Sequence, residues 1–403
     1  MVGNKLRRFR RAVLICGAAS SLLLAATVST SSASSKRSPY VIGISAGVTG
    51  AAAAIVKGEL QGAQAYIRGV NSAGGVNGHL IKLVTLDTQN VATTAVATFT
   101  QLVTQDNAKA VIGDVLSDNC DAQLTVATRY KVPVICGTLD PSYLKPAELY
   151  GYTEYGAEDT EASAITSIIS SSPLHIANPK IALIYIATAS DQPLFNAVSA
   201  AASSIGGSVV FNDPIGIQLD LSTDAQKAIA AGANVIVEQI IPQQLQSLEQ
   251  SLQNDGSSIP IVAEASTASY DEMNLLAGSN IYQMALNPFV NVNGTQPAVR
   301  TYVKALAAEG VTGQSGVNGQ SVAITYAATA AIVQAMKTCG KNCTSEQIAK
   351  ALQKVNIQLA GINSDYSYTA TRHYPQTNFY LYGYDASKGG VYLVQKGIQG
   401  NGL

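Results

Sequence analysis

Charge is scarce in this chain of 403 residues. Only 13% of its residues are charged, and 25 basic against 26 acidic side chains leave a net charge of −1. Such a balance supplies no basic surface, so no nucleic-acid partner is expected. Histidine is scarcer still, with three residues: His79, His175 and His373. None stands near a cysteine pair, which argues against zinc. There is no Walker loop, no H-E-x-x-H and no C-x-x-C, so no metal or cofactor is expected. Past the first 33 residues no apolar run is long enough to cross a membrane.

What is present begins with an export signal. Lys5, Arg7, Arg8, Arg10 and Arg11 form a positive segment. An apolar stretch follows from Ala12 to Val28, broken by Gly17, Ser20 and Ser21. Ser31-Ser32-Ala33 puts small residues before a cleavage point, so residues 1–33 read as a cleaved secretory signal peptide. Cys16 lies too early in the apolar stretch for a lipid anchor. The expected location is therefore periplasmic or extracellular. Four cysteines remain after cleavage: Cys120, Cys136, Cys339 and Cys343. In an oxidising compartment they allow two disulfides. Cys339 and Cys343 flank a three-residue loop and are expected to pair. Cys120 and Cys136 bracket one helix and one strand, and their pairing stays open.

Strand-like and helix-like runs alternate, which signals parallel α/β architecture. The pattern predicts a strand at 40–44, a small-residue loop Ser45–Gly50, and a helix over 51–71. Further strands are expected at 80–86, 110–113 and 132–136, with helices near 91–103 and 121–130. The stretch 139–157 holds prolines, glycine and four tyrosines with weak periodicity, and reads as a boundary. A second α/β set follows, with strands at 180–186, 208–211, 234–237, 260–263 and 281–286. Thr223 with Gln226, and Thr344 with Gln347, read as capping boxes. Helices are expected at 297–309 and 319–337, and a strand pair closes the chain around Lys388-Gly389-Gly390. The divisions expected are a first lobe of 39–155 and 290–364 and a second of 156–287 and 370–403.

Ligands of open α/β sheets bind at the carboxyl ends of strands. Those ends are polar here: Ser45–Gly50 with Thr49, Asp114–Asn119, Gly137–Pro141, Ala187–Asp191, Glu238–Ile241 and Glu264–Ser266. Such loops suit a small polar solute. One catalytic alternative exists. Gly43-Ile44-Ser45-Ala46-Gly47 matches the G-x-S-x-G elbow of serine hydrolases. Its strand is the first after the signal, so no earlier strand supplies an oxyanion loop. The expectation is that the chain is not an enzyme.

Four motifs in order make the chain resemble a known family. They are Gly47-Val48-Thr49-Gly50 followed by Asn71-Ser72-Ala73-Gly74-Gly75-Val76-Asn77-Gly78-His79, then Ala110-Val111-Ile112-Gly113, Val132-Pro133-Val134-Ile135 and Thr325-Tyr326-Ala327-Ala328. Across 40–395 the chain resembles type I periplasmic solute-binding proteins of ABC importers, in the branched-chain amino acid binding group. The resemblance implies two α/β lobes joined by a three-crossing hinge. It implies a monomer that captures a small-molecule ligand, an amino acid or related amide or acid, and hands it to an ABC permease. A ligand-sensing receptor of the same fold stays open beside that role. The family's carboxylate-binding serine falls on Ser117, and its acid for the ligand ammonium on Glu264. Thr138 and Asn119 are candidates to replace a missing hydroxyl, because the family's threonine falls on Leu139. The family's aromatic positions fall near Ser190 and Asp191, on Ile240 and on Ser321, none of them aromatic.

Overall fold

The computed structural model describes residues 37–50, 52–138, 144, 147–188, 192–216, 218–275, 280–319, 321–363, 366–375 and 378–400. The expected signal peptide, Leu139, Ser190 and Asp191 lie outside the described residues. The first sheet contains β1 (Tyr40–Ala46), β2 (Ile81–Asp87), β3 (Ala108–Ile112), β4 (Val134–Cys136) and β5 (Gly151–Thr153). Its order is β2-β1-β3-β4-β5, and every pairing is parallel. β1 is apolar and almost wholly buried because it lies inside this sheet with cover on both faces. β5 falls in the stretch read as a boundary. Three residues are too few to show a period in sequence, yet they complete the sheet's edge.

Helices α1 (Ala53–Ser72), α2 (Ala92–Thr104) and α3 (Ser117–Tyr130) connect these strands. α3 starts at Ser117, four residues before the expected start, and so includes the loop that follows β3. The turn after α1 needs its glycines. Gly75 has φ +80°, and a Cβ there would strike the His79 carbonyl.

The second sheet contains β6 (Lys180–Ile186), β7 (Ser208–Ile215), β8 (Val235–Gln239), β9 (Ile261–Ala263), β10 (Ile281–Ala285), β13 (Asn378–Asp385) and β14 (Gly390–Gln399). Its order is β14-β13-β10-β9-β8-β6-β7. β13 pairs antiparallel with both β10 and β14, so this sheet is mixed. A separate two-stranded ribbon pairs β11 (Asn356–Ile357) with β12 (Tyr366–Ser367). Helices α4 (Glu158–Ser170), α5 (Gln192–Ala202), α6 (Ser222–Ala230), α7 (Pro242–Asn254) and α8 (Tyr270–Leu275) belong to this half of the chain. α6 starts one residue before Thr223 and has no side-chain cap, so the Thr223 box does not form. The Thr344–Gln347 box does form, with Thr344 Oγ1 accepting the Gln347 N–H at 3.2 Å.

The chain then returns to the first sheet through α9 (Pro297–Ala307), α10 (Gly313–Val317), α11 (Val322–Thr338) and α12 (Ser345–Leu352). The expected helix over 319–337 starts at Val322, after the break that follows α10. Buried side chains of α1, α11 and α12 form one core with β1 and β3. The chain passes between the sheets three times: after β5, after β10, and between β12 and β13. Cys339 and Cys343 are bonded, with Cα atoms 5.6 Å apart, and so are Cys120 and Cys136 at the same spacing.

α1 and α11 touch backbone to backbone at Gly62. A Cβ there would collide with the Val322 carbonyl oxygen and crowd the Tyr326 N–H. Alanine favours helix over glycine by about 0.8–1.0 kcal/mol. Overpacking a rigid backbone contact costs about 1–3 kcal/mol. Gly62→Ala is therefore expected to lower stability in urea denaturation despite its better propensity. A neutral or stabilising result would show that the two helices separate freely.

Candidate functional site

The strand ends of both sheets carry acids. Asp114 follows β3 and is buried at the point where β1 and β3 diverge to opposite neighbours. Its carboxylate accepts from Thr88 Oγ1 at 2.6 Å, Asn119 Nδ2 at 2.9 Å and the Leu116 N–H at 3.0 Å, with Gly47 N–H adding a further bond. Burial nevertheless holds its pKa above the ordinary value. Glu154, just past β5, is buried with neither oxygen hydrogen-bonded among the described residues. Burial pushes it up to about 8. Glu59 on α1 is equally enclosed and unbonded. Burial raises its pKa, and the nearby Glu154 and Asp114 raise it further.

In the second lobe Glu238 is the penultimate residue of β8, and its Oε2 accepts the Ile240 N–H at 2.8 Å. Glu264 ends β9. Its oxygens accept the Ser266 N–H at 2.8 Å and the Ser266 hydroxyl at 2.6 Å. No Lys or Arg is buried among the described residues.

A half-open pocket of about 30 Å³ lies between the second sheet and the start of α11. Ala265 and Ala268 follow β9, Ala285 ends β10, and Leu286–Phe289 follow it. Asn318, Gly319, Ser321, Ala323 and Ile324 form the opposite wall. Ile324 also packs into the core of the second lobe, although α11 is built against the first sheet. The pocket therefore sits where the two lobes meet. Phe289 is fixed there by Tyr382, with ring centroids 4.2 Å apart and Tyr382 Oη accepting the Phe289 N–H at 2.8 Å. A larger depression, about 520 Å³, lies beside α1 and Glu309. It is shallow and away from the strand ends, so the smaller pocket has the better position.

The profile of the family described as periplasmic binding protein matches residues 39–390. The chain belongs to that family. Solved structures with the same fold include a fatty acid ABC transporter substrate-binding protein from Thermomonospora curvata. It is 20% identical, with 89% of this chain and 92% of that chain covered and a TM-score of 0.77. A branched-chain amino acid ABC transporter protein from Thermus thermophilus, with bound valine, is 14% identical over 90% of this chain and 96% of that one, at TM-score 0.77. A solute-binding protein from R. palustris in complex with 4-hydroxybenzoate is 14% identical over 89% and 96%, at TM-score 0.73. No curated protein matches the chain in sequence.

The positions expected from the resemblance to bind a ligand are distributed unevenly here. Ser321 lines the pocket, and Glu264 adjoins it through Ala265. Ser117 and Thr138 lie past β3 and β4 and do not line it. Thr138 is buried, with its N–H and carbonyl both bonded to Thr153 Oγ1. Thr49 is committed to Asp87, which accepts its hydroxyl at 2.5 Å and its N–H at 3.2 Å. Asn119 holds Asp114. Ile240 is packed in the core beneath β6, β8 and α7 and does not line the pocket, because the chain beyond β8 keeps its side chain on the apolar face. Sequence reasoning missed Asn287. The signal available was an Asn-Pro pair after a strand, which reads as a plain turn.

Ser45 bonds no histidine among the described residues. It is buried, and its Oγ bonds Thr98 Oγ1 at 2.7 Å and Gln123 Nε2 at 2.8 Å. His373 stacks on Tyr152 and bonds the Gly151 carbonyl, while His79 bonds the Ser38 and Lys341 carbonyls.

Proposed function

We propose that this protein is an extracytoplasmic receptor that captures a small molecule in the cleft between its lobes and delivers it to an ABC permease. The observation that carries the reading is the pocket built by residues from the ends of β9 and β10 on one side and the start of α11 on the other. At about 30 Å³ the space holds little more than a water, so the lobes would part to admit a ligand, which then bridges both walls and favours the arrangement in which they meet. Binding thereby shifts the population toward a closed state that a permease can distinguish. Cleavage after residue 33 releases the receptor to the periplasm or the outside of the cell, where it acts as a monomer. No helix among the described residues is long and apolar enough to cross a membrane.

A thermal-shift screen of the chain without residues 1–33 against small metabolites tests this reading. A ligand at 100 times its Kd is expected to add about 2.7 kcal/mol to stability. A broad library of amino acids, amides, organic acids and aromatic acids that produces no shift would overturn it.

A further inference from the structure

Two polar side chains among the pocket's lining residues, Asn287 and Ser321, are uncharged and have no hydrogen-bond partner among the described residues. Asn287 is 8% exposed, and neither its Oδ1 nor its Nδ2 has a hydrogen-bond partner among the described residues. Asn318, on the opposite wall, shows the contrast. Its Oδ1 accepts the Val290 N–H, and its Nδ2 donates to the Val290 carbonyl at 2.9 Å and the Gln314 carbonyl at 2.8 Å. Ser321 is 3% exposed and occupies the N-cap position of α11. A serine there ordinarily accepts a backbone N–H of the first turn. Ser321 instead has φ +65°, a left-handed conformation uncommon for serine, and its hydroxyl caps nothing. Its Oγ has no partner among the described residues. Buried polar groups are nearly always hydrogen-bonded, so uncommitted ones lining a cleft are candidates for a ligand.

The surroundings decide which ligand. The walls are apolar: Ala265, Ala268, Leu286, Phe289 and Ile324 among them. A ligand carboxylate would approach a cleft with Asp114, Glu238 and Glu264 at its strand ends and no buried Lys or Arg among the described residues. Glu264, the acid nearest the pocket, is held in place by the Ser266 N–H and hydroxyl and does not line the pocket itself. An unpaired charge enclosed there is costly, whereas a neutral group that donates and accepts completes the amide and the hydroxyl together.

We propose that the cleft selects a neutral ligand with an apolar body and a carboxamide-type end, which pairs with the Asn287 amide and the Ser321 hydroxyl. The inference rests on the receptor reading and names the ligand class of the same pocket. It makes zwitterionic amino acids poor ligands, because no Lys or Arg is buried among the described residues to meet the carboxylate.

Calorimetry with matched series tests it: 4-methylpentanamide, 4-methylpentanoate, 4-methylpentylamine and leucine, and benzamide, benzoate and benzylamine. The carboxamide of at least one series is expected to bind ten times or more tighter than its charged counterparts. Asn287→Leu and Ser321→Ala should each weaken it about tenfold, with unliganded thermal stability equal or higher. Asn287→Asp should reverse the preference toward the amine. A carboxylate, amine or amino acid that binds as tightly as the amide overturns the inference and leaves the receptor reading standing. So does unchanged amide affinity in Asn287→Leu, or no binding in either series while the broad screen yields a charged ligand. No binding to these compounds or to the broad screen overturns both.

Discussion

Replacing Glu154 by glutamine is expected to reduce a loss of stability that the natural protein suffers between pH 5 and pH 9. Glu154 is enclosed with neither oxygen bonded among the described residues, and burial pushes its pKa up to about 8 from an ordinary 4.5. The folded state thus holds this proton more tightly than the unfolded state does. Its contribution to stability is full below about pH 4.5. It falls as pH rises and is lost once pH passes about 8, where the folded protein must carry a buried anion. The span corresponds to on the order of 3–5 kcal/mol. Glutamine has the same shape and no proton to lose, so the variant's stability should change less with pH. Glu59→Gln should reduce the loss as well, since burial and its neighbours Glu154 and Asp114 raise that carboxyl too. Urea denaturation at pH 5, 7 and 9 reads the difference. Parallel pH profiles for the natural protein and Glu154→Gln would mean that the carboxyl meets water or a cation in solution. Glu154 stands where the chain first leaves one sheet for the other, so the same measurement reports on the first crossing of the hinge.

The alternation of apolar strands with amphipathic helices made the α/β plan legible, because parallel strands buried on both faces read as short apolar runs. The Thr344–Gln347 cap was also legible, since it depends only on neighbours three residues apart. Features set by distant contacts were not. β5 is three residues long and exists because β4 offers it an edge. The Thr223 box lost to a helix that begins a residue earlier and leaves Leu221 buried at its start. Glu154 sits in a tyrosine-rich run that resembles a solvated loop, and only its enclosure makes it unusual. Ile240 follows a strand end, as a cleft residue would, yet its side chain continues the buried face of β8. Ser321 was named through the resemblance, but its left-handed backbone and idle hydroxyl are tertiary facts. An asparagine before proline gives no hint that its amide will be left unbonded.

Removing the Cys120–Cys136 bond is expected to destabilise the protein more than removing Cys339–Cys343. Cys120 lies in the first turns of α3 and Cys136 at the end of β4, 16 residues apart and both buried. Closing a loop of that length restricts the unfolded chain by about 3 kcal/mol, against about 2 kcal/mol for the four-residue separation of Cys339 and Cys343. The first bond also joins two loops at the cleft end of the first sheet. α3 begins with Ser117 and carries Asn119, which holds Asp114, while β4 runs directly into Gly137 and Thr138. The double variant Cys120→Ala/Cys136→Ala should therefore lose about 3 kcal/mol in urea denaturation. Its ligand affinity should also fall, because the loop positions that closure brings together are no longer tied. Cys339→Ala/Cys343→Ala should lose less stability and keep its affinity, since that bond closes the turn after α11, at the opposite end of the helix from Ser321. Equal losses of stability in the two variants would show that loop length does not govern these bonds. Unchanged affinity in the first variant would show that the strand-end loops hold their places by packing and hydrogen bonds alone, with the Asp114 network sufficient to fix the first sheet's side of the cleft.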